Sequence, residues 1–166
     1  MSAARVLGVE AVCSSLKTTK FRLFDGLDDK SLRLLAGALT ERVFQEDEVL
    51  LRVGDASQKI FFILDGIVKV ELPLIASNSL ERIATLQEGN TAGEFALVRQ
   101  GKITAQVTAI NQVRVLATTR YDIERIVSEN PGVGCRLYFN LGTILVDRLV
   151  DTNLLARNVL SQISIY

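Results

Sequence analysis

The sequence predicts a mainly antiparallel β domain, a small sandwich or jelly roll, with helices at both ends. Three observations predict it. The hydrophobic period changes from helical to short and alternating near Val43, and returns to helical after Thr119. Turn signals punctuate the stretch between at spacings of about ten residues. No strand–helix–strand alternation occurs, which argues against a parallel sheet.

"KTTKFRLFDGL" reads as a short helix and turn anchored by Phe21, Phe24 and Leu27. Leu32, Leu35, Ala36 and Leu39 recur at helical spacing, and Asp28 and Asp29 precede them as helix-start residues, so a helix is expected over 29–40. "RVFQEDEVLLRVGD" mixes β-branched and polar residues and ends on a Gly54-Asp55 turn. In "KIFFILDGIVKVELP" two apolar runs flank Asp65-Gly66, the signal of a hairpin whose type I′ turn needs two residues tolerant of positive φ. Val68, Val70 and Leu72 alternate with Lys69 and Glu71 as in a half-buried strand, which Pro73 ends. "LIASNSL" reads as an exposed hairpin loop, "ERIATL" as a strand and "QEGN" as a turn. "TAQVTAI" and "QVRVLAT" give two more strands around Asn111-Gln112.

After Thr119, "RYDIERIVSEN" reads as a short helix closed at Pro131, followed by a long helix over 131–158. Leu137, Leu141, Ile144, Leu145 and Leu149 form its apolar stripe. Gly142 costs such a helix about 1 kcal/mol relative to Ala, which a tight helix–helix approach would explain. The stripe either packs on its own domain or also pairs with a copy of itself.

Composition bounds the function. The 166 residues fit one domain, 48% of them hydrophobic, enough for a real core. Nineteen basic and nineteen acidic residues cancel, so there is no electrostatic footprint for nucleic acid and no polybasic signal for anionic lipid. The absence of His removes the commonest general base and zinc ligand. Cys13 and Cys135 are isolated, which suits a reducing cytoplasm and neither a disulfide framework nor a metal site. Glu10 interrupts the short apolar run at the N-terminus, a poor signal peptide, and no apolar stretch reaches the ~18 residues of a membrane span. The expectation is a soluble cytoplasmic domain and not an enzyme, since no nucleophile–base set is visible.

"LQEGNTAGEFALVRQGKITAQVTA" is the candidate site. Gly89 and Gly93 permit a tight backbone path, and "GEFALV" can form one helical turn whose first N–H groups would face an anion. Glu94 can accept hydrogen bonds from sugar hydroxyls, and Thr104 can donate one to a phosphate oxygen. By local chemistry alone the signal is weak, and an ordinary turn is the commoner reading.

The wider pattern resembles the cyclic nucleotide-binding domain found in the catabolite activator protein family, kinase regulatory subunits and gated channels. The resemblance spans roughly 21–158. "LFDGLDDKSLRLLAGALTERVF" is similar to the family's lead-in helices, and "EDEVLLRVGD" to a strand ending in Gly-Asp. "FFILDGIVKV" follows F-x-I-x-x-G-x-V through Phe61, Ile63, Gly66 and Val68. "LQEGNTAGEFAL" follows L-x-x-G-x-x-F-G-E-x-A-L, with Ala92 where Phe is usual, and "RLVDTN" is similar to the final helix. The resemblance implies an antiparallel β-roll with N-terminal helices, a phosphate-binding cassette and a long C-terminal helix. It divides the chain into an extension (1–20), the domain (21–158) and a tail (159–166). It implies a nucleotide pocket built from Gly93, Glu94, Phe95, Ala96, Lys102, Ile103, Thr104 and Ala105, with cyclic AMP or cyclic GMP as the possible ligand.

One position departs. The Arg that holds the cyclic phosphate in that family falls on Ile103. Lys102 is adjacent, but neighbours in an extended segment point to opposite faces, and Arg99 lies at the end of the short helix. The expectation is a regulatory module with weakened or lost cyclic nucleotide binding, acting through the 131–158 helix on a second copy or another protein. The alternative is a working sensor with an altered clamp. DNA reading is not expected, because only "VLSQISIY" follows Asn158.

Overall fold

The computed structural model describes residues 3–5, 7–74 and 79–163. In chain order they form β1 (Ala3–Arg5), α1 (Val9–Thr19), α2 (Asp29–Ala36), β2 (Thr40–Phe44), β3 (Val49–Leu51), β4 (Lys59–Asp65), β5 (Val68–Pro73), β6 (Leu80–Leu86), β7 (Thr91–Ala92), β8 (Gln106–Ala109), β9 (Val113–Thr119), α3 (Arg120–Glu129) and α4 (Pro131–Ile163). Single 3₁₀ turns lie at Arg22–Phe24 and Glu94–Leu97. The strands pair antiparallel in two sheets, β1-β2-β9-β4-β7 and β3-β8-β5-β6. This is the β-roll with flanking helices and a long last helix that the sequence predicts.

The run "IFFIL" decides the layering. Successive strand residues face opposite ways, and β4 is buried on both sides. Ile60, Phe62 and Leu64 face the helices, where the Phe62 ring meets Phe21 (centroids 5.3 Å apart) and Phe24 (4.8 Å). Phe61 and Ile63 face the space between the sheets, where Phe61 meets Phe44 edge-on at 5.6 Å. The helical side therefore has one core and the roll interior another.

Several elements differ from the sequence reading. Asp65-Gly66 is not a hairpin turn. β4 and β5 belong to different sheets, and only Gly66 of the pair has positive φ (91°). The corner is pinned to the opposite one: a Cβ on Gly66 would stand 2.4 Å from the Gln112 carbonyl oxygen, and Asn111 Oδ1 accepts from the Ile67 N–H at 2.8 Å. The second hairpin expected, around "LIASNSL", does join β5 to β6, with Leu74 N–H bonded to Ser79 O at 2.8 Å; Ile75–Asn78 of its loop fall outside the described residues. The helix expected over 29–40 stops at Ala36, because Thr40 already begins β2. Asp28 caps its start, accepting from Ser31 N–H at 2.8 Å.

The first twenty residues are not merely appended. β1 pairs with β2, and α1 buries Val12, Cys13 and Leu16 in the helical core. At the other end α4 runs past 158 to Ile163, with no Gly or Pro to stop it. Its Leu137, Leu141 and Ile144 are buried as expected, but Leu149 is 59% exposed, because the domain body ends a turn earlier. Asn140 ties α4 down by donating to the carbonyls of Leu23 (3.0 Å) and Asp25 (2.9 Å). Among the described residues a Cβ on Gly142 would meet nothing within 4 Å, so no close approach among them accounts for that glycine. Among the described residues, no helix is long and apolar enough to cross a membrane.

Candidate functional site

A cavity of about 430 Å³ opens between the second sheet, the segment 91–105 and α4. All eight residues singled out in the sequence line it: Gly93, Glu94, Phe95, Ala96, Lys102, Ile103, Thr104 and Ala105.

The loop side is set by backbone. The turn "QEGN" closes with Asn90 N–H on Gln87 O and Gln87 N–H on Asn90 Oδ1, both at 2.9 Å. Gly93 follows with φ 83° and caps the 3₁₀ turn. A Cβ there would lie 2.4 Å from the Lys59 carbonyl oxygen, so both the angle and the space require glycine. The turn is a single 3₁₀ one, with Ala96 N–H bonded to Gly93 O at 3.0 Å. Ile103 is clamped by the Gly54-Asp55 turn: its N–H donates to Asp55 O, and its carbonyl accepts from Gly54 N–H, both at 2.9 Å. Its half-buried side chain packs on the core between the sheets. Lys102 and Ile103 both line the cavity, in the segment before the strand β8 begins at Gln106. Lys102 and Thr104 are exposed, and Ala105 is half-buried.

Glu94 is the buried polar group of the site, 1% exposed. Its Oε1 accepts from Arg148 Nη1, and Oε2 has no hydrogen-bond partner. Burial pushes the Glu94 carboxyl above its ordinary range, and the charge of Arg148 offsets part of that rise. Arg148 also donates from Nη2 to Thr91 O at 3.2 Å, and its guanidinium carbon stands 5.9 Å from the Phe95 ring centroid. Sequence reasoning missed this residue. A signal was present: position 148 continues the buried face of α4, seven residues after Leu141 and four after Ile144, and a charge on such a face needs a partner. Arg99, considered in the sequence as a substitute cation, is exposed at the same cavity.

The cavity thus offers a buried acceptor, a mostly apolar wall through Ile103, and cations on the helix and at the rim.

Comparison with known proteins gives the following. The family model for the cyclic nucleotide-binding domain matches residues 41–130. A relative named Glutaminase 1 from Bradyrhizobium diazoefficiens is 33% identical over 131 residues, covering 79% of this chain and 20% of its own length. The chain spans less than two thirds of each of the first curated relatives it matches. Among solved structures, a cyclic nucleotide-binding domain from Methylobacillus flagellatus superimposes with a TM-score of 0.80 at 19% identity, covering 90% of this chain and 84% of that one. The catabolite activator protein of Thermus thermophilus gives 0.72 at 22% identity, covering 83% and 62%.

Proposed function

The chain belongs to the cyclic nucleotide-binding domain family, and from that premise we propose that it is a non-enzymatic regulatory module whose affinity for cyclic nucleotides is weakened or lost. The observation that carries this is Ile103 on the cavity wall, where the family resemblance places the Arg that clamps the phosphate. A guanidinium there would make a bidentate, charge-assisted pair with the phosphate. Losing such a pair costs on the order of 2–5 kcal/mol, or roughly 30-fold to several thousand-fold in affinity. The other half of the site fits a nucleoside: Glu94 keeps a buried, unpartnered oxygen that can accept from a ligand hydroxyl.

A second reading is favoured by one observation. Arg148, Arg99 and Lys102 all line the cavity, so a cyclic AMP or cyclic GMP sensor with its cation in a different place is also supported. We further propose that the module works in the cytoplasm, consistent with the free thiols of Cys13 and Cys135. Its output surface would be the outward face of α4, where Phe139, Val146, Leu149, Val150 and Leu154 are exposed; the partner is a second copy or another protein, not nucleic acid or membrane.

Calorimetric titration with cyclic AMP and cyclic GMP, beside an Ile103→Arg variant, tests the reading. Binding by the variant alone, tighter than the natural protein by roughly 30-fold or more, is the expected result. Micromolar binding by the natural protein would replace the first reading with the second.

A further inference from the structure

The floor of the cavity is one apolar surface. Each strand of the second sheet sends a side chain to it: Leu51 of β3, Val107 of β8, Val70 of β5 and Leu86 of β6. Val70, Leu86 and Ile103 are only partly buried and pack on the core between the sheets, so the cavity is the open end of that core. Ile103 carries the apolar floor across to the loop side. Covering concave apolar surface with an apolar ring is favourable, and about 430 Å³ lies within the roughly 300–1,000 Å³ usual for small-molecule sites.

Little at the cavity can hold an anion. The backbone N–H groups of Ala96, Val98, Arg99 and Ile103 are all bonded to carbonyls of the chain. The charge of Arg148 is engaged by Glu94. Arg99 and Lys102 are exposed, where water and salt screen them. A phosphate set against Ile103 would lose water and gain no donor from that side chain. The group left unmet at the site is an acceptor. Glu94 is buried, and its Oε2 has no hydrogen-bond partner among the described residues. Such an atom is satisfied by a ligand that donates.

We propose that the cavity selects an uncharged nucleoside over a nucleotide. The flat ring lies on the apolar floor, a sugar hydroxyl donates to Glu94, and a neutral CH2OH group stands against Ile103 where a nucleotide would bring its phosphate. A nucleoside joins these two chemistries, an apolar ring and a hydroxyl-bearing sugar, in one molecule without charge. The inference rests on reading the cavity as a ligand site without a phosphate clamp, and it names what that site takes instead. Ile103 is then a specificity residue: it rejects the charged ligand by leaving its charge unpaired and accepts the neutral one.

Calorimetry on the natural protein compares adenosine and guanosine with cyclic AMP and cyclic GMP. At least one nucleoside is expected to bind tighter than its own cyclic nucleotide, by roughly tenfold or more. The dideoxy forms of the two nucleosides keep the ring and the CH2OH group and lack both ring hydroxyls of the sugar. Losing a hydrogen bond to a charged acceptor should weaken their binding by roughly tenfold or more, and this arm needs no variant protein. Ile103→Arg is expected to reverse the order, so that the cyclic nucleotide binds tighter than the nucleoside. Dideoxy forms that bind as well as the parents would overturn the part given to Glu94, and an unreversed order in Ile103→Arg the part given to Ile103. If the natural protein binds no nucleoside while Ile103→Arg binds a cyclic nucleotide, this inference falls and the reading of a lost phosphate clamp stands. If the natural protein binds a cyclic nucleotide as tightly as its nucleoside, both fall. If neither protein binds any of these ligands, the inference falls together with the ligand reading of the cavity.

Discussion

The cavity has two sides, and they are held by different kinds of interaction. On the loop side Gly93 is fixed by its left-handed backbone against the Lys59 carbonyl, and Ile103 by two backbone hydrogen bonds to the Gly54-Asp55 turn. On the helix side one half-exposed arginine reaches across to a buried carboxylate. Backbone constraints of the first kind are rigid, because relieving them means moving a strand. A side-chain ion pair of the second kind can be made and broken without disturbing either sheet. One wall is thus held by backbone and the other by a single side-chain pair.

The comparison can be broken most severely at Gly93. Gly93→Ala forces a Cβ into the Lys59 carbonyl at a φ that L-residues avoid, and is expected to cost about 3 kcal/mol of global stability. Urea unfolding measures this; a loss below about 1 kcal/mol would mean that the loop wall yields as easily as the helix wall. Arg148→Ala should sit well below that, at about 1 kcal/mol, because the arginine is partly exposed and solvent screens the pair. If Arg148→Ala proves as damaging as Gly93→Ala, the division of labour is wrong.

The smallest effect concerns pH. Burial raises the Glu94 carboxyl above the ordinary glutamate value of 4.5, so the folded protein holds this proton more tightly than the unfolded chain. Its contribution to stability is therefore fully present below that value and is lost as pH rises through the raised one. Thermal unfolding across pH 4.5 and upward should show this downward component in the natural protein. Glu94→Gln should flatten it, and Arg148→Gln should steepen it by removing the influence that opposes the rise. An identical pH profile in all three proteins would place the titration elsewhere.

What the sequence made legible follows from how local each signal is. Gly93 and Glu94 were singled out by the resemblance to the family, because their local signal alone is that of an ordinary turn. The strands were readable from their alternation. Asp65-Gly66 misled for the same reason: turn chemistry reports that positive φ is needed, and says nothing of which sheet the next strand joins. Gly66 serves a corner whose tightness comes from Gln112, far along the chain. Leu149 matched helical spacing, but periodicity cannot tell where the body beneath a helix ends. The pairing of Arg148 with Glu94 joins residues more than fifty positions apart, and no local pattern encodes it; only the misplaced charge on an apolar face hinted that a partner existed.

The order of strands in the first sheet bears on how the chain is made. β2 finds its central partner in β9, so that Phe44 lies opposite Val113, a separation of roughly seventy residues, and β3 waits likewise for β8. Pairing over such distances carries a loop-closure cost before any contact rewards it, and topologies of this kind reach the native state slowly. During synthesis β2 and the apolar run of β4 lack their shared partner β9 until residues 113–119 leave the ribosome. Closure of the first sheet therefore waits on β9, the last of its strands in chain order.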